Sequence, residues 1–362
     1  MRIANIITIL VILLPGSLQV RATEGTFYSA DNSAIRVLGR IDRSKQGVIR
    51  FDWPGIIIET GFEGTSCAIT LGGSNEYYGV FIDSVFTHVV KTDSVIRSYP
   101  LAGHLADTLH TLRFVKRFET DRQVTECTGI TLDSGRTLRP LPPKSRYFIE
   151  FIGASTILGY GNESKTTRCD SLAKVSNIHL SYGPVAARLC NADYTICAKT
   201  RAGLVRNYHS LFLTSKKTFP DYYRRTLLSD SLSKPWRYAT PPDIIVITLG
   251  MNDYSTTPLP PRELFINHYF AFTRELYALY PDVHLVCVTS WREPLRSYVK
   301  TFVDSELSDG NKKITFFSYE RMPDWERGCD WHPNAKAHEH IGEQLATVIR
   351  SILGEDAVTL TP

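Results

Sequence analysis

The sequence predicts a two-domain chain: an N-terminal all-β sandwich of jelly-roll type over residues 23–140, then a doubly wound α/β domain with a parallel sheet over residues 146–356. Three observations predict it. From Phe27 to Leu138 short runs alternate apolar and polar residues between turn signals. Pro140-Leu141-Pro142-Pro143-Lys144 then breaks the pattern. Beyond it, near-continuous apolar runs alternate with segments of helix length.

Alternation with period two places every second side chain on one face, as half-buried antiparallel strands require. Gly47-Val48-Ile49-Arg50-Phe51-Asp52-Trp53 and Thr111-Leu112-Arg113-Phe114-Val115-Lys116 carry it, and Gly72-Gly73-Ser74-Asn75 supplies a turn. Clustered prolines cannot donate to a ladder, so residues 141–145 read as a linker. The strands predicted after it are Tyr147 to Ile152, Tyr194 to Ala198, Ile244 to Leu249, Val283 to Thr289 and Ile314 to Ser318. Such runs suit a sheet covered on both faces. A last helix begins at the N-cap Asn334 and carries the apolar stripe Ala337, Ile341, Leu345, Val348, Ile349 and Ile352.

The first residues join Met1-Arg2 to an apolar stretch from Ile6 to Leu14, a Pro15-Gly16 break and the exit Val20-Arg21-Ala22. This reads as a secretory signal peptide over residues 1–22. Its apolar core falls short of the roughly 20 residues that span a bilayer, so the expected mature protein is secreted, extracellular or periplasmic, and free of the membrane. The net charge of +4 includes Arg2 and Arg21 of that leader, which leaves the remainder nearly balanced. Such a balance gives no reason to expect nucleic acid or acidic lipid as a partner. Seven cysteines lie scattered, without the close pairs of a zinc site. Their odd number leaves at least one outside any intramolecular disulfide, and Cys197 and Cys287 sit in apolar strand runs as small buried hydrophobes.

In a doubly wound sheet, functional groups gather at the carboxyl ends of the strands. Ser155 follows the first such strand within Gly153-Ala154-Ser155, and the flexible Gly159-Tyr160-Gly161-Asn162 comes next. His332 stands in Asp330-Trp331-His332-Pro333-Asn334, just before the last helix. A neutral imidazole suits the removal and return of a serine proton, since its ordinary pKa is about 6.5. Asn252, within Gly250-Met251-Asn252-Asp253, can present an amide donor to an oxyanion, and Gly203 an unobstructed backbone N–H. Together these are the parts of a serine esterase. His338-Glu339-His340 has the look of a metal site, but positions i and i+2 point to different helix faces, so a solvated helix surface is expected.

The ordered set Ser155, Gly203, Asn252 and His332 resembles the SGNH branch of the GDSL esterases and lipases. The likeness narrows with Phe51-Asp52-Trp53-Pro54-Gly55, Phe62-Glu63-Gly64-Thr65, Gly203-Leu204-Val205-Arg206-Asn207-Tyr208 and Gly328-Cys329-Asp330-Trp331-His332-Pro333. With the sandwich, the chain resembles family 2 carbohydrate esterases, which join a jelly roll to a flavodoxin-like, three-layer SGNH domain. The resemblance implies removal of acetyl groups from plant-type polysaccharides such as xylan and glucomannan, through an acetyl-serine intermediate and without metal or cofactor. It assigns Ser155 as nucleophile, His332 as general base and acid, and the Ser155 amide, Gly203 amide and Asn252 side chain as the oxyanion hole. Trp331 and Trp291 become candidates for stacking against a sugar.

The chain departs from the family pattern in three places. Ala154 stands where Gly-Asp-Ser has its aspartate, which removes a side chain able to brace the turn. Thr200-Arg201-Ala202-Gly203 replaces a Ser-Gly-x-Gly block. Cys329 occupies the usual position of the orienting acid, three residues before the histidine, so Asp330 is the candidate third member. A Ser-His dyad oriented by backbone carbonyls is the alternative. Two other readings of the chain are a carbohydrate-binding protein with a disabled esterase site and a general lipase or acylhydrolase.

Overall fold

The computed structural model describes residues 25–119, 123–142 and 145–354. The expected leader lies outside them, as do Pro143 and Lys144 of the expected linker. The N-terminal part contains β1 (Thr26–Ser29), β2 (Arg36–Leu38), β3 (Ile49–Phe51), β4 (Ile57–Gly64), β5 (Cys67–Gly72) and β6 (Tyr77–Ile82). It continues with β7 (Val85–Lys91), β8 (Arg97–Ala102), β9 (Thr108–Lys116), β10 (Thr125–Leu132) and β11 (Leu138–Arg139).

These strands form two antiparallel sheets. One runs β1-β10-β5-β8 with β3 also on β10, and the other β11-β4-β9-β6-β7 with β2 on β4. Ile69, Leu71 and Ile130 of the first share a core with Phe62, Val80 and Phe114 of the second. Along β5 the alternation is as expected: Cys67, Ile69 and Leu71 are buried, while Ala68 and Thr70 are partly exposed. Strand β4 instead is buried almost throughout, because the second sheet is also covered from outside. Ile57 packs there with Ile149, Ile178 and Ile196 of the α/β part.

The parallel sheet consists of β12 (Phe148–Gly153), β13 (Asp193–Ala198), β14 (Ile244–Thr248), β15 (His284–Ser290) and β16 (Ile314–Tyr319), in the order β13-β12-β14-β15-β16. All its pairings are parallel. Ile245 and Ile247 face the helices Arg262–Leu279 and Leu295–Ser308, while Ile244 and Val246 face Tyr182–Leu189 and Ala335–Leu353. Burial on both faces explains why the strands read as unbroken apolar runs. The last helix starts at Asn334, whose side-chain oxygen accepts from the Ala337 N–H at 3.1 Å. The chain leaves β12 toward β13 on one side and returns to β14 on the other, so a crevice opens between the carboxyl ends of β12 and β14.

Buried polar ties join the two parts. Arg40, 1% exposed, pairs with Glu150 of β12 at 2.9 Å and lies over the rings of Trp53 and Tyr223. Tyr223 and Tyr238 each donate a hydroxyl to the same carboxylate at 2.7 Å. Asp52 accepts from the backbone N–H groups of Leu228 and Ser229, both at 2.7 Å. Closer to the crevice, Glu119 accepts from Lys199 Nζ at 3.1 Å and from the Thr200 N–H at 2.5 Å.

Candidate active site

The segment after β12 turns sharply at Gly153, placing Ser155 at the carboxyl edge of the sheet. Backbone bonds hold the turn without a side chain at Ala154: the Lys199 N–H reaches the Gly153 carbonyl at 3.2 Å, and the Tyr160 N–H reaches that of Ser155, also at 3.2 Å. The residues before the last helix fold over this edge. His332 Nε2 lies 2.8 Å from Ser155 Oγ.

His332 Nδ1 lies 3.2 Å from the backbone carbonyl oxygen of Asp330. A carbonyl only accepts, so Nδ1 carries the proton and Nε2 is left to accept from the serine hydroxyl. The Asp330 carboxylate does not orient the ring; it accepts the Tyr160 hydroxyl at 2.8 Å. Two residues of spacing turn the side chain away while the left-handed backbone at Asp330 (φ 47°) and Trp331 (φ 62°) aims the carbonyl inward. Burial of the ring lowers the His332 pKa from its ordinary value, against opposing contributions from the Asp330 and Cys329 backbones and the Asp330 charge.

A disulfide between Cys169 and Cys329 ties this strained loop to the segment following Gly161. The loops also press together at Gly161, where an added Cβ would lie 1.9 Å from the Cys329 Cβ. Cys67, Cys127, Cys190, Cys197 and Cys287 are buried thiols. Replacing Cys169 by serine is therefore expected to lower stability by about 2–4 kcal/mol and to reduce kcat by loosening the histidine loop. Thermal unfolding under non-reducing conditions, with matched kinetics, measures both; an unchanged melting temperature and kcat would refute the role.

The oxyanion groups are only partly as expected. Among the described residues the Ser155 N–H has no protein acceptor. Asn252 Nδ2 donates to the Ala202 carbonyl at 2.7 Å, which leaves its second amide hydrogen free of that bond. Gly203 differs: its N–H donates to Asn207 Oδ1 at 3.1 Å, because the loop folds back on itself. Its lack of a side chain serves close packing, since a Cβ there would sit 1.8 Å from the Arg206 carbonyl oxygen.

Sequence reasoning missed Asp253, which is fully buried and accepts from the N–H groups of Leu204, Val205 and Arg206. Burial pushes its carboxyl up to about 6 against those bonds. It fastens the loop after β13 to the loop after β14, and its only sequence signal was its place beside Asn252. Tyr160 was also missed. Its ring stacks on that of His332 with centroids 4.2 Å apart and an interplanar angle of 25°.

Trp331 is 63% exposed beside the histidine, as a stacking platform requires. Trp291 instead has the guanidinium groups of Arg292 and Arg321 at 5.6 and 5.5 Å from its ring centroid. Arg201 is exposed, with its guanidinium 5.8 Å from the Tyr208 ring centroid. The His338-Glu339-His340 run is not wholly solvated, since His338 is fully buried and takes the Tyr182 N–H on Nδ1 at 3.3 Å. Asn162, first residue of a glycosylation-type triplet, is 1% exposed and bonded through both side-chain atoms to the Asn177 backbone, so a glycan has no access to it. Among the described residues no cluster of His, Cys, Asp or Glu could hold a metal ion, and no helix is long and apolar enough to cross a membrane.

A serine hydroxyl set against a carbonyl-oriented imidazole, at the carboxyl edge of a doubly wound sheet, defines a carboxylic ester hydrolase of the serine type. Residues 37–142 match the family model described as carbohydrate esterase 2 N-terminal. The chain is 27% identical to the acetylxylan esterase / glucomannan deacetylase of Cellvibrio japonicus, over 94% of this chain and 98% of that protein. It is 29% identical to the cellulase/esterase CelE of Acetivibrio thermocellus, over 90% of this chain but only 40% of that longer protein. A solved family two carbohydrate esterase from Clostridium thermocellum, in complex with cellohexaose, superposes with a TM-score of 0.83 at 27% identity, covering 89% of this chain and 100% of that one. These likenesses together support a family 2 carbohydrate esterase.

Proposed function

We propose that this esterase removes O-acetyl groups from β-linked plant-type polysaccharides such as xylan or glucomannan. The observation that carries the reading is the 2.8 Å contact between Ser155 Oγ and His332 Nε2, with Nδ1 engaged by a carbonyl. Ser155 Oγ attacks the acetyl carbonyl carbon as its proton passes to Nε2. The oxyanion is met by the Ser155 N–H and the second amide hydrogen of Asn252. The C–O bond to the sugar then breaks, His332 returns the proton to the sugar oxygen, and an acetyl-serine remains. Water activated by the same nitrogen releases acetate. In this scheme Ser155 and His332 form a dyad, with Asp330 acting through its carbonyl.

The exposed Trp331 offers its face to a pyranose while the acetyl group enters the crevice. We further read the N-terminal part, through residue 140, as a jelly roll, supported by the strand orders β3-β10-β5-β8 and β4-β9-β6-β7. Residues 146–356 form the hydrolase domain in this reading, and the 1–22 leader directs export.

The test is acetate release from acetylated xylan, acetylated glucomannan and 4-nitrophenyl acetate, each with a Ser155→Ala control. Turnover no higher than the control, with retained polysaccharide binding, would show a binding protein instead. Because only neutral His332 acts as base and burial lowers its pKa, activity is lost as pH falls through that lowered pKa. The acidic limb of kcat/KM is therefore expected below the ordinary histidine value of about 6.5. A limb above that value would contradict the assignment.

A further inference from the structure

We propose that Tyr160 is the positioning residue for the catalytic histidine, and that the N-terminal β part holds Tyr160 in place through Phe118. The proposal rests on the esterase reading and adds a residue to it.

Tyr160 touches Ser155, His332 and Asp330. Its N–H bonds the Ser155 carbonyl at 3.2 Å. Its ring covers one face of the imidazole at 4.2 Å between centroids. Its hydroxyl donates to the Asp330 carboxylate at 2.8 Å. Asp330 holds a left-handed backbone, and the carbonyl of that same residue receives His332 Nδ1–H. Anchoring the Asp330 side chain thus fixes the carbonyl that fixes the ring and its tautomer. Burial and the neighbouring carboxylate push the phenol up to about 12, so it remains a donor at any working pH. In many triads a carboxylate binds the imidazole directly; here the acid acts one step removed, through a phenol clamp.

The support for Tyr160 comes from across the molecule. The Phe118 ring meets it edge-on at 6.0 Å between centroids and is 5% exposed. Phe118 follows β9, between Arg117, whose carbonyl accepts the Ile178 N–H at 2.8 Å, and Glu119, which anchors Thr200. The short stretch Arg117-Phe118-Glu119 therefore braces the loops after both β12 and β13. The charged and titratable groups around the imidazole are Asp330 and Arg327 on its own loop, Arg201 and Tyr208 near Tyr160, and His338 in the last helix.

Tyr160→Phe keeps the stacked ring and removes the hydroxyl. The expected result is a fall in kcat of about ten- to a hundredfold, with KM nearly unchanged and the acidic limb of the pH profile in place. Tyr160→Ala also uncovers the imidazole, so its acidic limb is expected to climb toward the ordinary histidine value. Phe118→Ala should lower kcat in the same direction. Tyr160→Phe and Asp330→Ala should be non-additive, because they break one hydrogen bond from its two ends. An NMR readout needs no turnover: a slowly exchanging His332 Nδ1 proton in the wild type should be lost or broadened in Tyr160→Phe. Wild-type kcat, a changed KM alone, additive effects or an unchanged Nδ1 signal would each overturn the proposal. If the wild type turns over no faster than Ser155→Ala, the esterase reading has failed and the NMR signal alone decides the role of Tyr160.

Discussion

Ser155→Ala is expected to lower kcat/KM toward acetylated polysaccharide by about 10³-fold or more, while the melting temperature stays close to that of the wild type. Oγ is the only atom lost, and its described side-chain hydrogen bond is the one to His332 Nε2. Removing it leaves the backbone hydrogen bonds of the turn intact and, in the proposed scheme, the reaction without a nucleophile. His332→Ala should cost as much, because serine and base act as a unit, and the double variant should be little worse than either single one. Steady-state kinetics on a single acetylated oligosaccharide measure all three. Multiplicative losses would mean that the two residues do not share a step.

Arg40→Ala is expected to destabilise the protein by about 3–5 kcal/mol, since breaking one side of a buried pair strands the other charge. Glu150 would keep the hydroxyls of Tyr223 and Tyr238 but lose its cation. The carbonyls of Tyr223 and Arg225 would lose the guanidinium that binds them. Arg40→Lys should recover only part of the loss, because an ammonium has neither the planar fork nor the stacking of the guanidinium on Trp53 and Tyr223. Replacing the pair together, as Arg40→Met with Glu150→Leu, should be milder than Arg40→Ala. Denaturant unfolding measures each; a loss below about 1 kcal/mol for Arg40→Ala would place the ties between the two parts elsewhere.

The sequence pattern carried much of this architecture. The five parallel strands lie within a residue or so of where apolar runs predicted them, because a strand covered on both faces must be apolar throughout. The Asn334 cap and the N-terminal strands were legible for similar local reasons, and the meeting of Ser155 with His332 from their places at the carboxyl edge of the sheet together with the family resemblance. What misled was local spacing used for side-chain direction. Asp330 looked like an orienting carboxylate, yet the left-handed turn at Asp330 and Trp331 presents its carbonyl instead. Gly203 looked like a free donor, but Asn207 folds back to take its N–H. His338 looked solvated until the helix Tyr182–Leu189 covered it.

By itself, the sequence determined the order of chemical groups along the chain and the strand ends that deliver them, since burial and turn chemistry are written in residue type. Only the tertiary structure decided which atom of each group faces the reaction. That choice depends on contacts between distant segments: Tyr160 with Asp330, Cys169 with Cys329, Phe118 with Tyr160 and Asp253 with the loop after β13. None of these leaves a periodic trace, because each is one contact made once, at a distance set by the packing of the whole.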